Sequence, residues 1–207
     1  MIDLYTFATP NGRKISIALE ELGLPYNVKV VDIRKNEQFK PEFLAINPNN
    51  KIPAIVDSEG PGGQPLTLFE SGAILIYLAE KTGRLLPVSA TKRLHALQWL
   101  MFQMSGVGPT FGQLGHFTRF ANVKVPYAID RFTQESQRII GVLEKALGAG
   151  DYLAGDYSIA DIATYPWVQG VAQLSPELLF SAPHVHEWLQ RVGNRPAVQR
   201  GMAVPQI

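Results

Sequence analysis

The chain has 207 residues, no cysteine and a formal net charge of +1. This length accommodates one large domain or two small ones around a packed apolar core. Lys and Arg are scattered without a long run, which argues against a nucleic-acid partner or an acidic membrane surface. The longest apolar run, 73–79, is far shorter than the ~20 residues of a membrane span. Because the N-terminus resembles a strand rather than a targeting segment, we expect a cytoplasmic protein.

The absence of cysteine restricts the chemistry. It excludes disulfides, thiolate metal ligands and a thiol nucleophile within the chain. The four histidines have no acidic partner at ligand spacing, so we predict no metal site. If this protein carries out thiol chemistry, the sulfur must come from a substrate or cosubstrate.

The first part of the chain alternates strands and helices. A strand over 2–7 ends at the turn cluster 10–12, and a helix follows to the stop residue Gly23. Ile15, Leu19 and Leu22 form the apolar stripe of that helix, and Lys14 falls outside it.

A further strand, a hairpin and a second helix complete this part. We predict a strand over 26–31, a hairpin of 54–57 with 66–68, and a helix over 71–81. The order β-α-β followed by β-β-α is that of a thioredoxin-like α/β domain, which we place at 1–84.

After Pro87 the strand signals vanish, and we predict an all-α domain at 90–207. Long helices are expected over 91–120 and 126–147, and shorter ones over 183–192 and 196–202.

A separate helix start is marked by a capping box. Ser158 is expected at the N-cap and Asp161 at N3, and Tyr157 with Ile162 would form the hydrophobic staple.

Two short segments indicate the ends of a peptide-binding groove. Pro53 opens a strand and donates no ladder hydrogen bond, which leaves the backbone of Ile52 available to an extended peptide. Glu70 and Ser71 open a helix, offering a carboxylate to an ammonium and N–H groups to a carboxylate. The alternatives are an ordinary edge-strand proline and an acid that complements a helix dipole.

In this order and spacing, N-K-I-P-A-I-V-D, F-E-S-G-A-I and S-I-A-D resemble the cytosolic glutathione transferase superfamily across essentially the whole chain. The T-P-N-G at 9–12, together with 38–43 and 126–131, is similar to the bacterial nu-class and Ure2-like subgroup. The fold implied is a thioredoxin-like domain followed by an all-helical domain.

The resemblance also implies an activity. It implies a homodimer that uses glutathione as cosubstrate, without a metal, to reduce disulfide bonds, with only weak conjugating or peroxidase activity. Two alternatives remain: a transferase that conjugates glutathione to electrophiles, and a non-catalytic regulatory module that binds glutathione.

The catalytic candidates are Thr9 and Asn11, at the junction of the first strand and helix. A hydroxyl donor and the N–H groups of a helix N-terminus would stabilise a glutathione thiolate, although both residue types also suit a simple helix cap. Tyr5 is mid-strand, so we expect it to pack against the sheet rather than to act in catalysis.

The remaining candidates bind the rest of glutathione. We expect the backbone of Ile52, next to Pro53, to pair with the cysteinyl unit. Glu70 should bind the γ-glutamyl ammonium and Ser71 the α-carboxylate. Gln38 and Lys51 are expected to bind the glycyl carboxylate. Arg131, on a helix of the second domain, is expected to bind a carboxylate of a second glutathione. Arg131 is equally compatible with a solvated helix face.

Overall fold

The structure is a computed structural model that describes residues 1–206. Four strands form one mixed sheet in the order β2-β1-β3-β4. Their bounds are β1 Ile2–Thr6, β2 Tyr26–Val30, β3 Ala54–Asp57 and β4 Leu66–Phe69. β1 runs parallel to β2, and β3 is antiparallel to both of its neighbours. The thioredoxin-like order of elements is therefore confirmed.

Helices cover both faces of this sheet. Leu4 and Ile55 are fully buried on the face where α1 (Pro10–Leu22) and α3 (Ser71–Thr82) pack. On the opposite face Phe43, from the short helix α2 (Pro41–Leu44), is clustered with Val31 and the half-buried Tyr5. The alternation of the β1 side chains thus separates a fully buried core from a smaller satellite cluster.

The C-terminal helix α9 (Pro196–Met202) packs on α1. Ser16 donates its hydroxyl proton to the Gly201 carbonyl at 2.6 Å, and a side chain at Gly201 would lie only 2.5 Å from Ile17 Cα. Arg200 pairs with Glu20 at the same contact. One compact unit therefore contains 1–84 and the residues from Asn194 onward, whereas the sequence-based division assigned everything from 90 to the second domain.

The second compact unit, Leu85–Gly193, is helical in all of its regular elements. Its helices are α4 (Ala90–Phe102), α5 (Gly108–Gly115), α6 (Pro126–Leu147), α7 (Ile159–Leu174) and α8 (Pro183–Gly193). No helix within residues 1–206 is both long and apolar enough to span a membrane.

The long helix expected over 91–120 is interrupted. Two π-helical turns, Gln103–Val107 and His116–Phe120, flank α5. Pro109 has no N–H for the carbonyl of Ser105, and the first wide turn lies at this position. Periodicity alone does not detect such a widening because the apolar pattern continues through it.

The capping box of α7 is confirmed, and it belongs to a larger buried network. Asp161 accepts hydrogen bonds from the Ser158 N–H at 3.1 Å, the Leu153 N–H at 3.1 Å and the Trp188 indole at 2.9 Å. Burial nevertheless raises the pKa of Asp161 to about 6. One side chain therefore fixes the start of α7, the preceding loop and α8.

Candidate active site

The strand register brings the predicted site segments to one edge of the sheet. Ala54 pairs with both Tyr5 and Phe69. Because β1 and β4 end at this edge and β3 begins there, the segments leading to Thr9, Pro53 and Glu70 leave the sheet side by side. The N-termini of α1 and α3 therefore lie at the same edge.

Thr9 is the N-cap of α1. Its hydroxyl oxygen accepts the Gly12 N–H at 3.2 Å, and its carbonyl accepts the Arg13 N–H at 3.0 Å. The hydroxyl proton is not used by this cap and remains available for a ligand. Thr9 can therefore cap the helix with a lone pair of its hydroxyl oxygen and donate its hydroxyl proton to a ligand at the same time.

The T-P-N-G segment makes this turn sterically possible. Pro10 occupies N1, where its missing N–H costs no intrahelical hydrogen bond, and Asn11 is half-buried at N2. A Cβ atom at Gly12 would overlap the Phe7 carbonyl oxygen and Thr6 Oγ1. Glycine at this position lets α1 begin directly against the end of β1.

The peptide bond between Ile52 and Pro53 is cis. Ile52 lies outside the ladder, and within residues 1–206 its backbone N–H and carbonyl make no hydrogen bond. The neighbouring Lys51 carbonyl accepts from the buried Asn47 side chain at 2.6 Å. This arrangement fixes the segment and leaves the polar groups of Ile52 for a partner strand.

Glu70 has a left-handed φ of 71° and leads into the first turn of α3. Its carboxylate is exposed and does not accept a hydrogen bond from that turn, so both the ligand role and the helix-dipole role of this acid stay open. Ser71 is only 4% exposed at the first helical position. A carboxylate and the N–H groups of a helix N-terminus are therefore presented together.

The other candidates are more dispersed. Gln38 lies in a 3₁₀ turn, and its Oε1 is buried without a hydrogen-bond partner in the described chain 1–206. Lys51 is exposed in the first unit, and Arg131 is exposed on α6 of the second unit, so their assignments to ligand carboxylates stay predictions. Tyr5 packs on Phe43 with ring centroids 6.3 Å apart, as expected. Among residues 1–206, no group of three His, Asp or Glu side chains is arranged to hold a metal.

Comparison with known families identifies the chain. The family model described as glutathione S-transferase, N-terminal domain, matches residues 8–81, and the model of the C-terminal domain matches residues 127–196. The chain belongs to the glutathione S-transferase family.

Relatives of this transferase are similar over nearly their full lengths. The disulfide-bond oxidoreductase YfcG of Escherichia coli is 50% identical, with 100% of this chain and 97% of the relative covered. A Burkholderia graminis glutathione transferase, solved with two glutathione molecules per subunit, is 51% identical with a TM-score of 0.96, and 99% and 88% of the two chains are covered. A Pseudomonas putida transferase, solved with one glutathione disulfide per subunit, is 48% identical with a TM-score of 0.95, and 99% and 91% are covered.

Sequence reasoning missed one residue at the site of this transferase. Lys14 is only 1% exposed, and its ammonium donates to Ser71 Oγ at 3.2 Å. Burial lowers the pKa of Lys14 to about 7, against the opposite effect of the Glu70 carboxylate. The sequence did contain a signal, because Ile17 and Ala18 follow Lys14 at three and four positions and would lie on the same face of a helix. In the structure both are buried, and Lys14 lies with them on a second apolar stripe of α1.

Proposed function

We propose that this transferase is a glutathione-dependent disulfide-bond reductase. A bound glutathione thiolate attacks one sulfur of a disulfide, forming a mixed disulfide and releasing a thiolate. A second glutathione thiolate then attacks the glutathione sulfur of the mixed disulfide, forming oxidised glutathione and releasing the second thiolate. The protons lost by the two glutathione thiols are taken up by the two released thiolates, so two glutathiones and one disulfide give oxidised glutathione and two thiols.

The observation that carries this proposal is a thioredoxin-like unit that contains no cysteine and has a threonine, Thr9, as the N-cap of α1. With no thiol in the chain, glutathione supplies both nucleophiles. Thr9 donates its unused hydroxyl proton to the sulfur, and Asn11 with the first N–H groups of α1 favours the anion. A threonine hydroxyl cannot act as a general base near neutral pH, so its role is electrostatic.

The rest of glutathione is proposed to bind along the same edge of the sheet. The backbone of Ile52 at the cis Pro53 pairs with the cysteinyl unit as an added antiparallel strand. Glu70 binds the γ-glutamyl ammonium and Ser71 the adjacent carboxylate. Gln38 and Lys51 are assigned to the glycyl end.

The two relatives solved with two glutathiones or with glutathione disulfide support a site for two glutathione moieties per subunit. The proposed exchange reaction ends with oxidised glutathione, so its product site must hold two glutathione moieties. We further propose that this transferase is a cytoplasmic homodimer of the nu-class and Ure2-like subgroup, with only weak conjugating or peroxidase activity.

The test compares two reactions in wild type and in the Thr9→Ala, Asn11→Ala double variant. We expect wild type to reduce hydroxyethyl disulfide faster than it conjugates chlorodinitrobenzene. The double variant should lose roughly 100-fold in reductase turnover, since each lost donor to a charged group corresponds to about tenfold. The exposed Thr67→Ala variant on β4 serves as control and should retain wild-type turnover. Unchanged reductase turnover in the double variant, or conjugation faster than reduction in wild type, would contradict the proposal.

A further inference from the structure

The buried ammonium of Lys14 lies beneath the N-terminus of α3, where none of the proposed glutathione contacts uses it. A lysine is rarely buried this completely without a compensating interaction, because desolvation disfavours its charge. Its Nζ donates to Ser71 Oγ at 3.2 Å, although Lys14 belongs to α1 and Ser71 to α3. The lysine therefore connects the two helices whose N-termini form the proposed glutathione site.

A ligand carboxylate at Ser71 would bring a further negative charge close to Lys14. Glu70 is the charged group that acts on Lys14, and its carboxylate is exposed. A γ-glutamyl group adds an ammonium beside Glu70 and a carboxylate beside Ser71, which produces two pairs of opposite charges. The other ionisable side chains of the elements packed on α1 belong to β1, α3 and α9: Asp3, Tyr5, Tyr77, Glu80, Lys81 and Arg200.

Four of these groups are engaged elsewhere. The Tyr77 hydroxyl donates a hydrogen bond to Asp57, and Lys81 forms an ion pair with the same carboxylate. Asp3 forms an ion pair with Lys29, and Arg200 forms one with Glu20. Tyr5 faces the opposite side of the sheet, and Glu80 is exposed. The Glu70 carboxylate raises the pKa of Lys14 against the larger effect of burial, and a carboxylate bound at Ser71 would act in the same direction.

We propose that Lys14, which donates to Ser71 across the two helices, is a positioning residue that recognises the α-carboxylate of the γ-glutamyl group through Ser71. This inference rests on the proposed glutathione site and extends it. A hydroxyl that accepts from an ammonium donates its own proton more strongly, so the chain Lys14–Ser71–carboxylate is cooperative. Since the pKa of Lys14 is lowered to about 7, the unliganded protein holds a mixture of charged and neutral lysine near neutral pH. A bound carboxylate favours the charged form, and binding therefore takes up a proton.

The test is calorimetric titration near neutral pH with S-methylglutathione, in buffers of different ionisation enthalpy. This ligand has no thiol, so its binding releases no proton from sulfur. At pH 7 wild type should take up a fraction of a proton, at most roughly half, because about half of Lys14 is already charged. The analogue with an amide in place of the γ-glutamyl α-carboxylate should cause no uptake.

Variants separate the charge of Lys14 from its titration. Lys14→Met should weaken S-methylglutathione binding about 10- to 100-fold, the range for a lost charged hydrogen bond, and abolish proton uptake. Lys14→Arg should bind but take up no proton, because a guanidinium is always charged. Lys29→Met, an exposed lysine of β2, is the matched control and should behave like wild type.

Three outcomes are distinguishable. Proton uptake that requires both Lys14 and the ligand carboxylate supports the inference. Tight binding without uptake, or equal uptake in Lys14→Met, overturns it and leaves the reductase proposal intact. If wild type binds neither S-methylglutathione nor reduced glutathione, both proposals fall. Should Lys14→Met fail to fold, the acid and amide ligands on wild type still decide the question.

Discussion

At Gly12 the chain turns from β1 into α1 with no room for a side chain. The sequence allowed Thr9 to be a helix cap as well as a donor to a thiolate, and the structure shows it as the N-cap of α1. The reason for the glycine appears only in three dimensions. An added Cβ would meet the Phe7 carbonyl and the Thr6 hydroxyl, which are brought there by the tight turn itself. Lys14 was not recognised from the sequence at all. It falls outside the predicted apolar stripe of α1, and nothing in its immediate neighbours shows that its side chain is buried.

Gly12→Ala tests the role of this turn. We expect a loss of about 1–3 kcal/mol in the free energy of unfolding, as for overpacking, and a loss of reductase activity because Thr9 is displaced. The control is Gly141→Ala on α6, where an added Cβ meets nothing within 4 Å. That change should stabilise the protein by roughly 0.5–1 kcal/mol and leave activity unchanged. Denaturant unfolding and turnover measure both effects, and a Gly12→Ala variant as stable and active as wild type would contradict this role of the turn.

At the scale of elements, sequence patterns were most informative where local chemistry decides the structure. The capping residue of α7, the extent of α6 and the hairpin of β3 and β4 were all predicted from neighbouring residues. The π-helical turns around α5 were not predicted, because the apolar pattern continues through them. The packing of α9 on α1 was not predicted either, because it depends on residues distant in the chain. The close contact of Gly201 with Ile17 joins residues that no local window contains.

The Asp161 network predicts a pH dependence of stability. Its pKa rises from the model-peptide value of 3.8 to about 6 on folding. The resulting stabilisation is complete below about pH 4 and is lost as the pH rises through about 6. The free energy of unfolding of wild type relative to Asp161→Asn should therefore fall by up to ~3 kcal/mol across this interval. Denaturant unfolding at several pH values measures the difference, and a difference that does not change with pH would refute the prediction.

At the scale of the whole molecule, the chain combines two compact units with different organisation. The first, built on the sheet, collects Thr9, Ile52, Glu70 and Ser71 at one edge because three strand ends meet there. Sequence order predicted this topology, and the topology brings the candidate site residues together. It did not predict that the residues from Asn194 onward join this unit. The absence of cysteine applies to the entire chain and assigns the sulfur chemistry to glutathione.

The most direct test of the reductase function is calorimetric titration of the purified protein with reduced and, separately, with oxidised glutathione. A reductase whose site holds both glutathione moieties of its product should bind oxidised glutathione more tightly, with one molecule per subunit. Binding of reduced glutathione alone would indicate a conjugating transferase and would contradict the proposed disulfide exchange.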